Sequence, residues 1–299
     1  IAMTRARVNL SSMLLKRETW DLSFVVFVGI DRLLHWMWDA LPVIGESPSL
    51  ELTEAIACYF RELDTAIARL LDSASDANVM LISDHGFQNI EKSFYINDWL
   101  LAHGLQKRRD GNLGLVTASK KIAKRFLKKQ RGSALPVLSS ERTYLPELNW
   151  RRTLLYGDRA PGIFLNPDLD HDEKRRLVGE MLERLNSEQR AGLRNLLTGA
   201  QSRDEFYGGC SQQSLSPEIL LDFGPGVQVV SQPRSGKIVH NNVVQRIPCN
   251  DWRKIATTMQ GMHSSNALFA AYGSGAKQCH RGETELIDFY RIVHRYFSL

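Results

Sequence analysis

The stretch "LISDHGF", residues 81–87, decides the fold of this chain and poses its main chemical question. It belongs to the short apolar run "NVMLIS", 78–83, which predicts a buried strand. The run ends abruptly in Asp84, His85 and Gly86. Adjacent residues of a regular strand point to opposite faces, so both ligand-type side chains can face one ion only from a turn. Gly86 would permit such a tight backbone.

The segments before this stretch complete a supersecondary unit. Residues 22–30, "LSFVVFVGI", are apolar without alternation and predict a strand that is buried on both faces. Residues 50–74 have apolar positions at helical spacing and predict a strong amphipathic helix. A strand, a helix and a strand with a connection of this length indicate a right-handed βαβ unit. The predicted fold class is therefore α/β, with a mostly parallel central sheet flanked by helices.

Beyond residue 90 the predicted alternation of strands and helices is interrupted. Residues 106–150 read as an insertion, and residues 225–258 carry little secondary-structure signal. Residues 94–105 predict a strand or turn and then a helix, and residues 153–167 contain two apolar runs around a turn. A polar surface helix is predicted over 170–193 and a terminal helix in "ETELIDFYRIVHRYFSL". Strands are predicted over 217–224 and 267–275.

Composition excludes several classes of protein. The chain has 299 residues, of which 43% are hydrophobic and 24% charged, as in an ordinary globular protein. No apolar run reaches the roughly 18 residues of a membrane span, and no signal peptide is visible. The four cysteines are far apart and form no CxxC pair, which argues against a disulfide scaffold or a zinc ribbon. We therefore expect a cytoplasmic location.

The net charge of +5 comes from one segment. Residues 107–131 carry ten basic residues and one acid, so the rest of the chain has 28 basic and 32 acidic residues. The favoured interpretation is a solvated helical insertion whose Ile122, Phe126 and Leu127 pack inward. The alternative is contact with a membrane surface through 117–130. No specific binding of nucleic acid is expected.

Further ligand-type residues occur at the predicted edge of the sheet. Asp31 ends the first predicted strand, and His35 follows four residues later, which places both on one face of a helix. Such a pair can bind one divalent cation, although it can also be a helix cap or a surface pair. Open α/β sheets place their sites at the carboxyl ends of strands, where both Asp31 and Asp84 are predicted to lie.

A third segment, "GMHSSNALFAAYGSG", contains His263 between a glycine and a predicted strand. A single histidine is usually structural. Together, however, the three segments offer two aspartates and three histidines, which are ligands for zinc or manganese. The alternative is a plain α/β domain in which these five residues have no common function.

In chain order, "GIDRLLHW", "SDHGF" and "GMHSSNALFAAYGSG" resemble the metal-binding motifs of the alkaline phosphatase superfamily. The resemblance is to the type I phosphodiesterase/nucleotide pyrophosphatase branch, and within it to the predicted phosphohydrolase/phosphomutase-like group. The segments "FYINDWLLAHG", "NWRRTLLYGDRAPGIFLN" and "FYGGCSQQSLSPEILLDFG" fit the downstream pattern of that group. The resemblance covers most of the chain, loosely over 106–150 and 225–258.

The resemblance implies a two-metal site, commonly zinc and alternatively manganese. By position, Asp31, His35 and His263 would bind one ion, and Asp84 and His85 would provide part of the second site. The implied reaction is an in-line displacement at phosphorus by a Ser or Thr hydroxyl. The implied substrate is a phosphorylated small molecule or a nucleotide, and the implied fold is an alkaline-phosphatase-like core with inserted cap segments.

The chain also departs from the family pattern. The family takes its nucleophile and one further metal-binding Asp from an N-terminal portion that opens with a buried strand, and nothing before residue 18 resembles it. We therefore expect residues 1–299 to be the C-terminal portion of one catalytic domain, with no catalytic nucleophile in this chain. Within it, 106–150 would be a basic insertion and 167–258 partly a cap. The terminal "DFYRIVHRYF" also replaces a common Asp-x-x-Pro-Thr pattern.

Two alternatives follow from this departure. Sulfatases, phosphoglycerate mutases and phosphopentomutases share the same core, so the chain could be a sulfatase or phosphomutase relative. It could also be a catalytically degenerate protein that binds a metal or a phosphorylated ligand.

Overall fold

This structure is a computed structural model that combines helices and strands, consistent with the α/β class. It divides into two compact units, of which the first comprises Ile1–Ile90 with Ile247–Leu299 and the second comprises Glu91–Arg246. The residues that it describes are 1–41, 50–109, 148–158, 161–190, 193–194, 196–208, 216–231, 243–245, 259–273 and 285–296.

The helices are α1 (Ala2–Arg17), α2 (Gly29–Met37), α3 (Leu50–Ser73), α4 (Ile96–Ala102), α5 (His171–Arg190), α6 (Arg203–Tyr207) and α7 (Leu286–Tyr296). The strands are β1 (Val79–Ile82), β2 (Gly86–Asn89), β3 (Lys92–Tyr95), β4 (Leu155–Gly157), β5 (Gly162–Leu165), β6 (Leu197–Ser202), β7 (Ile219–Phe223), β8 (Val227–Val230), β9 (Val243–Gln245), β10 (Gly261–Ser264) and β11 (Phe269–Tyr272). Short 3₁₀ helices occur at Trp38–Ala40 and Trp150–Arg152.

The first unit contains two small antiparallel sheets. β1 pairs with β11, and β2 pairs with β10. In the second pair, Phe87 lies opposite His263. The apolar residues of α2 pack against a small core cluster that includes Leu41 and Ile56, the latter on α3. This packing fixes α2 beside α3 through its apolar side, as expected for an amphipathic helix.

The second unit holds the larger core. Its four-stranded antiparallel sheet has the order β4-β5-β7-β6, and a separate three-stranded sheet has the order β8-β3-β9. α5 contributes its buried residues Leu177, Met181 and Leu185 to this core, at the spacing of one helical face. Asn97 and Trp99 of α4 are buried, at 0% and 3% exposure.

The prediction of a buried strand over 22–30 is wrong. Residues 22–27 form no regular element, and α2 already begins at Gly29. A strand requires backbone pairing, and among the described residues no strand pairs with this segment. Instead, Phe24 is 68% exposed, whereas Val25 and Phe27 line an apolar cavity of about 230 Å³. The apolar run therefore reflects cavity contacts and exposed side chains.

The predicted βαβ unit fails for the same reason. β1 confirms the second predicted strand, but it pairs antiparallel with β11 and not parallel with residues 22–30. Among the described strands, β3 and β8 form the parallel pair, and the other pairs are antiparallel. A mostly parallel central sheet is thus not confirmed.

Most elements with a strong periodic pattern match their predictions. α3 and α5 confirm the two long amphipathic helices, and β3 followed by α4 confirms a strand and then a helix over 94–105. β4 and β5 form the predicted pair around a turn. The predictions did not include β2, β6 and β10, nor β8 and β9, which lie in the low-signal region. Residues 110–147 of the predicted insertion lie outside the described residues.

The other elements agree in part. β7 and β11 occupy the last two predicted strands, and α7 occupies the predicted terminal helix. α1 is a regular helix in a segment for which no element was predicted. No helix among the described residues is long and apolar enough to cross a membrane.

Candidate metal centre

α2 presents Asp31 and His35 one helical turn apart. Asp31 lies in the first turn and His35 in the last, where the helix dipole favours an acid and a cation respectively. The Oδ1 atom of Asp31 lies 3.4 Å from Nε2 of His35. The apolar face of α2 is packed against its core cluster, so this i, i+4 pair is fixed on another part of the helix surface.

The antiparallel pairing of β2 with β10 brings His85 and His263 together. His85 directly precedes β2, and His263 lies within β10. Their imidazole rings are stacked, with centroids 3.5 Å apart and an interplanar angle of 19°. The four residue pairs between β2 and β10 thus make neighbours of two histidines that are far apart in the sequence.

Backbone contacts attach β10 to α2. The amide of Gln260 donates to the carbonyl oxygen of His35 at 2.8 Å, and the amide of Asp39 donates to Oε1 of Gln260 at 3.0 Å. Gln260 is fully buried. Nδ1 of His35 lies 2.9 Å from the carbonyl oxygen of Gly261. A carbonyl can only accept, so Nδ1 carries the proton and Nε2 of His35 keeps its lone pair for a metal ion.

Three ligand atoms form a nearly equilateral triangle. Nε2 of His263 lies 3.3 Å from Oδ1 of Asp31 and 3.0 Å from Nε2 of His35, and the third side is the 3.4 Å between Asp31 and His35. Two ligands bound at 2.0–2.1 Å to a tetrahedral zinc ion lie about 3.3 Å apart. The triangle therefore has the size of one face of a zinc coordination shell.

His85 and Asp84 lie beside this triangle. Nε2 of His85 is 3.9 Å from Oδ1 of Asp31 and 3.5 Å from Oδ1 of Asp84. The ligand atoms of Asp31, His85 and His263 all lie within 4.8 Å of one another, which would also permit a shared ion. The side chain of Asp84 is 79% exposed. All five residues predicted from the sequence are thus brought to one region, with Asp84 at its solvent side.

The turn before β2 is held by Ser83. Its amide donates to the carbonyl oxygen of Leu268 at 3.0 Å, and its Oγ accepts from the amide of Leu268 at 2.8 Å. These paired bonds satisfy both backbone groups of Leu268 directly before β11. They fix the chain immediately before Asp84 and His85.

Residues 2–241 match the family model described as type I phosphodiesterase / nucleotide pyrophosphatase. The chain belongs to this family. The match supports the resemblance based on "GIDRLLHW" and "SDHGF" and is consistent with that branch of the alkaline phosphatase superfamily. His263 lies beyond the matched residues, so its assignment rests on the geometry. No curated protein matches the chain.

The donor set fits the metal dependence of this phosphodiesterase family. Carboxylate oxygen and imidazole nitrogen are ligands that zinc accepts at about 2.0–2.2 Å. The hydrogen bond from His35 to the Gly261 carbonyl is the kind of outer contact that fixes the tautomer of a metal-binding histidine. Nδ1 of His85 similarly lies 3.1 Å from the carbonyl oxygen of Gly86, which leaves its Nε2 as the ligand atom.

Two glycines allow this centre to form. We expected Gly86 to provide a special turn conformation, but the structure gives it a different role. A Cβ atom there would lie 1.8 Å from the backbone oxygen of Asn266. At Gly261 a Cβ would lie 2.4 Å from the carbonyl oxygen of Leu34. Both glycines therefore permit close backbone approach beside a candidate ligand.

Sequence reasoning missed the residues that support the ligands. Gln260 and Gly261 directly precede the "MHSS" stretch, but nothing in their local pattern indicates contact with α2. Phe87 follows the predicted turn and contacts three imidazole rings. The sequence shows Phe87 beside His85, but its contacts with His35 and His263 depend on the tertiary structure.

The pKa of His263 is lowered from its ordinary value of 6.5. Partial burial is the main cause, since it disfavours the charged imidazolium. Repulsion from His85 and His35 acts in the same direction, whereas Asp31 opposes it through a hydrogen bond and its negative charge. The neutral form of His263, which is the metal-binding form, is therefore favoured in the folded chain.

We expect Gly86→Ala to destabilise the first unit by about 1–3 kcal/mol, the usual cost of overpacking. The backbone oxygen of Asn266 cannot move aside without disturbing the segment between β10 and β11. Urea unfolding would measure the loss. The matched control is Gly179→Ala on α5, where a Cβ meets nothing within 4 Å and should stabilise by about 0.5–1 kcal/mol. Equal stability of wild type and Gly86→Ala would contradict the close approach.

We expect the metal-free protein to lose stability as the pH falls below 6.5, because the folded pKa of His263 lies below its unfolded value. The unfolded chain then binds the proton more readily. The stabilising difference is complete above 6.5 and disappears as the pH passes through the lowered folded pKa. Urea unfolding between pH 5 and 7.5 would show a flatter pH profile for His263→Asn. A wild-type profile identical to that of this variant would contradict the assignment.

Proposed function

We propose that this protein is a metal-dependent phosphoester hydrolase for phosphodiester or nucleotide-type substrates. The observation that carries the proposal is the triangle formed by Asp31, His35 and His263 in a chain of the type I phosphodiesterase family. The family match supports the phosphoester class of substrate. The triangle supports a dependence on metal.

Within this proposal, Asp31, His35 and His263 bind the first ion, and Asp84 and His85 are ligands of a second. Zinc is the proposed metal because the donors are carboxylate and imidazole groups, and manganese is the alternative. Oδ1 of Asp31 lies 3.3 Å from Nε2 of His263 and 3.9 Å from Nε2 of His85, so its carboxylate is close to proposed ligands of both ions.

Two bound cations would supply charge stabilisation for the attacking and leaving oxygens of an in-line displacement at phosphorus. The chain's own residues prepare this site. The Gly261 carbonyl accepts from Nδ1 of His35, which directs its Nε2 toward the metal site, and the lowered pKa of His263 favours its neutral imidazole. Asp84, exposed to solvent, stays accessible from the side on which a substrate would approach. We assign the attacking hydroxyl to no residue of this chain.

We further propose that the first unit belongs to an alkaline-phosphatase-like core and that the second unit is its inserted cap. Residues 91–246 separate the two parts of the first unit along the chain, as an insertion would. The second unit includes the predicted insertion at 106–150 and most of the predicted cap at 167–258. It has its own core, which suits a cap that folds as a unit.

The metal proposal is tested by zinc binding to the chain itself. We expect at least one zinc ion per chain, with the affinity reduced at least about 100-fold in His263→Ala and Asp31→Asn, beyond what loss of a supporting residue usually costs. Competition with a chromophoric chelator would measure it. The control is His171→Ala, an exposed residue of α5 outside the site. Zinc binding that is unchanged in both ligand variants would reject the proposal.

The reaction class is tested by turnover of the protein. We expect zinc-dependent hydrolysis of a phosphodiester to exceed hydrolysis of a phosphomonoester or a sulfate ester by at least about tenfold, a discrimination near 1.4 kcal/mol. Loss of turnover on chelation and in His85→Ala should accompany it. Faster sulfate ester or phosphomonoester turnover would instead favour the related enzymes of the superfamily. Zinc binding without any turnover would favour a degenerate binding protein.

A further inference from the structure

Phe87 lies among the candidate metal ligands without being able to bind a metal itself. Its ring centroid is 4.9 Å from that of His35, 5.4 Å from that of His85 and 5.3 Å from that of His263. Each of these contacts is edge-to-face, with interplanar angles of 73°, 62° and 80° respectively. One benzene ring therefore contacts all three imidazoles of the centre.

The edge-to-face geometry has a physical consequence. Aromatic rings attract one another in this arrangement because the positive edge of one ring meets the negative face of another. Rotation of any of the three imidazoles about its χ2 angle would change its contact with Phe87. The χ2 torsion of histidine is otherwise soft. Phe87 thus restricts the torsion that decides where each Nε2 atom points.

Phe87 is itself held in place. Its backbone is opposite that of His263 in the β2–β10 pairing, so the two residues share a register. Its ring stacks on Trp38 with centroids 6.3 Å apart and an interplanar angle of 25°. Trp38 belongs to the 3₁₀ helix that follows α2 and packs on the small core cluster. The ring of Phe87 is thus held by the β2–β10 pairing on one side and by Trp38, directly after α2, on the other.

The contacts of Phe87 differ from those of an ordinary core residue. Among the described residues, it is a member of neither hydrophobic core cluster. It remains partly exposed, and its ring contacts are with three histidines and Trp38. Because its burial is incomplete and three of its four ring contacts are with candidate ligands, the position of Phe87 points to a role in orienting those ligands.

We propose that Phe87 is a positioning residue that orients His35, His85 and His263 before a metal ion binds. This inference rests on the proposed function, because it assigns Phe87 to the same metal centre. A ligand set that is already ordered loses less conformational freedom on binding. The expected result of removing the ring is therefore weaker and less uniform metal binding by a chain that still folds.

The test compares Phe87→Leu, Phe87→Tyr and Phe60→Leu with wild type. Leucine stays apolar but removes the ring, tyrosine keeps the ring, and Phe60→Leu removes a partly buried ring of α3 that packs on the small core cluster. Zinc affinity would be measured by chelator competition, and coordination by the visible absorption of the cobalt-substituted chain. Urea unfolding would establish that each variant is folded.

We expect Phe87→Leu to weaken zinc binding about 10- to 100-fold, the range found for residues that support metal ligands. Its cobalt spectrum should lose intensity or shift, because the coordination geometry is no longer fixed. Phe87→Tyr should restore both readouts, and Phe60→Leu should leave both at the wild-type level. This combination cannot come from a general loss of stability, since Phe60→Leu also removes a packed ring.

The contrary outcomes are distinct. Wild-type zinc affinity and cobalt spectrum in folded Phe87→Leu would overturn the positioning role and leave the metal centre intact. An equal loss of zinc affinity in Phe87→Leu and Phe60→Leu would show that Phe87 contributes only to the stability of the fold. Absence of zinc and cobalt binding in the wild-type chain would reject the proposed metal centre, and the role of Phe87 with it.

Discussion

The close approach of α2 to β10 is the constraint on which the candidate centre depends. Gly261 allows the backbone of β10 to lie against the carbonyl oxygen of Leu34, and its own carbonyl accepts from Nδ1 of His35. Gln260, fully buried, adds bonds to the backbone of both His35 and Asp39. These contacts join positions more than 220 residues apart in the chain. Without them, His35 and His263 would not share one triangle of ligand atoms.

The electrostatics of the centre follow from this crowding. The ligand atoms of Asp31, His35 and His263 lie 3.0–3.4 Å apart, and Nε2 of His85 lies 3.9 Å from Oδ1 of Asp31. Protonated imidazoles would repel one another at such distances, whereas a carboxylate beside them favours positive charge. A divalent cation would be attracted by the neutral imidazole nitrogens and by the carboxylate at the same time. Metal binding and proton release are therefore coupled in a cluster of this kind.

Local sequence patterns predicted the long helices and one turn better than they predicted which strands pair. α3 and α5 have strong helical periodicity, and the predicted ends lie within three residues of the observed ones, close to the usual uncertainty of a helix boundary. The turn between β4 and β5 was predicted from its Gly/Pro content. The segment 22–30 has the composition of a buried strand, but composition cannot supply the partner strand on which a sheet depends. Short apolar runs therefore located β1, β7 and β11 but misassigned residues 22–30.

The sequence by itself determined the types of ligand, the helical pairing of Asp31 with His35, and membership of a phosphodiesterase family. These features are local, because helical spacing and short motifs are set by residues within a few positions of one another. Only the tertiary structure decided that β1 pairs antiparallel with β11, that His263 joins the pair on α2, and that Phe87 contacts three imidazoles. Those outcomes depend on backbone hydrogen bonds and close approaches between distant segments. Nearly every residue can form such backbone bonds, so they leave no distinctive pattern in the sequence.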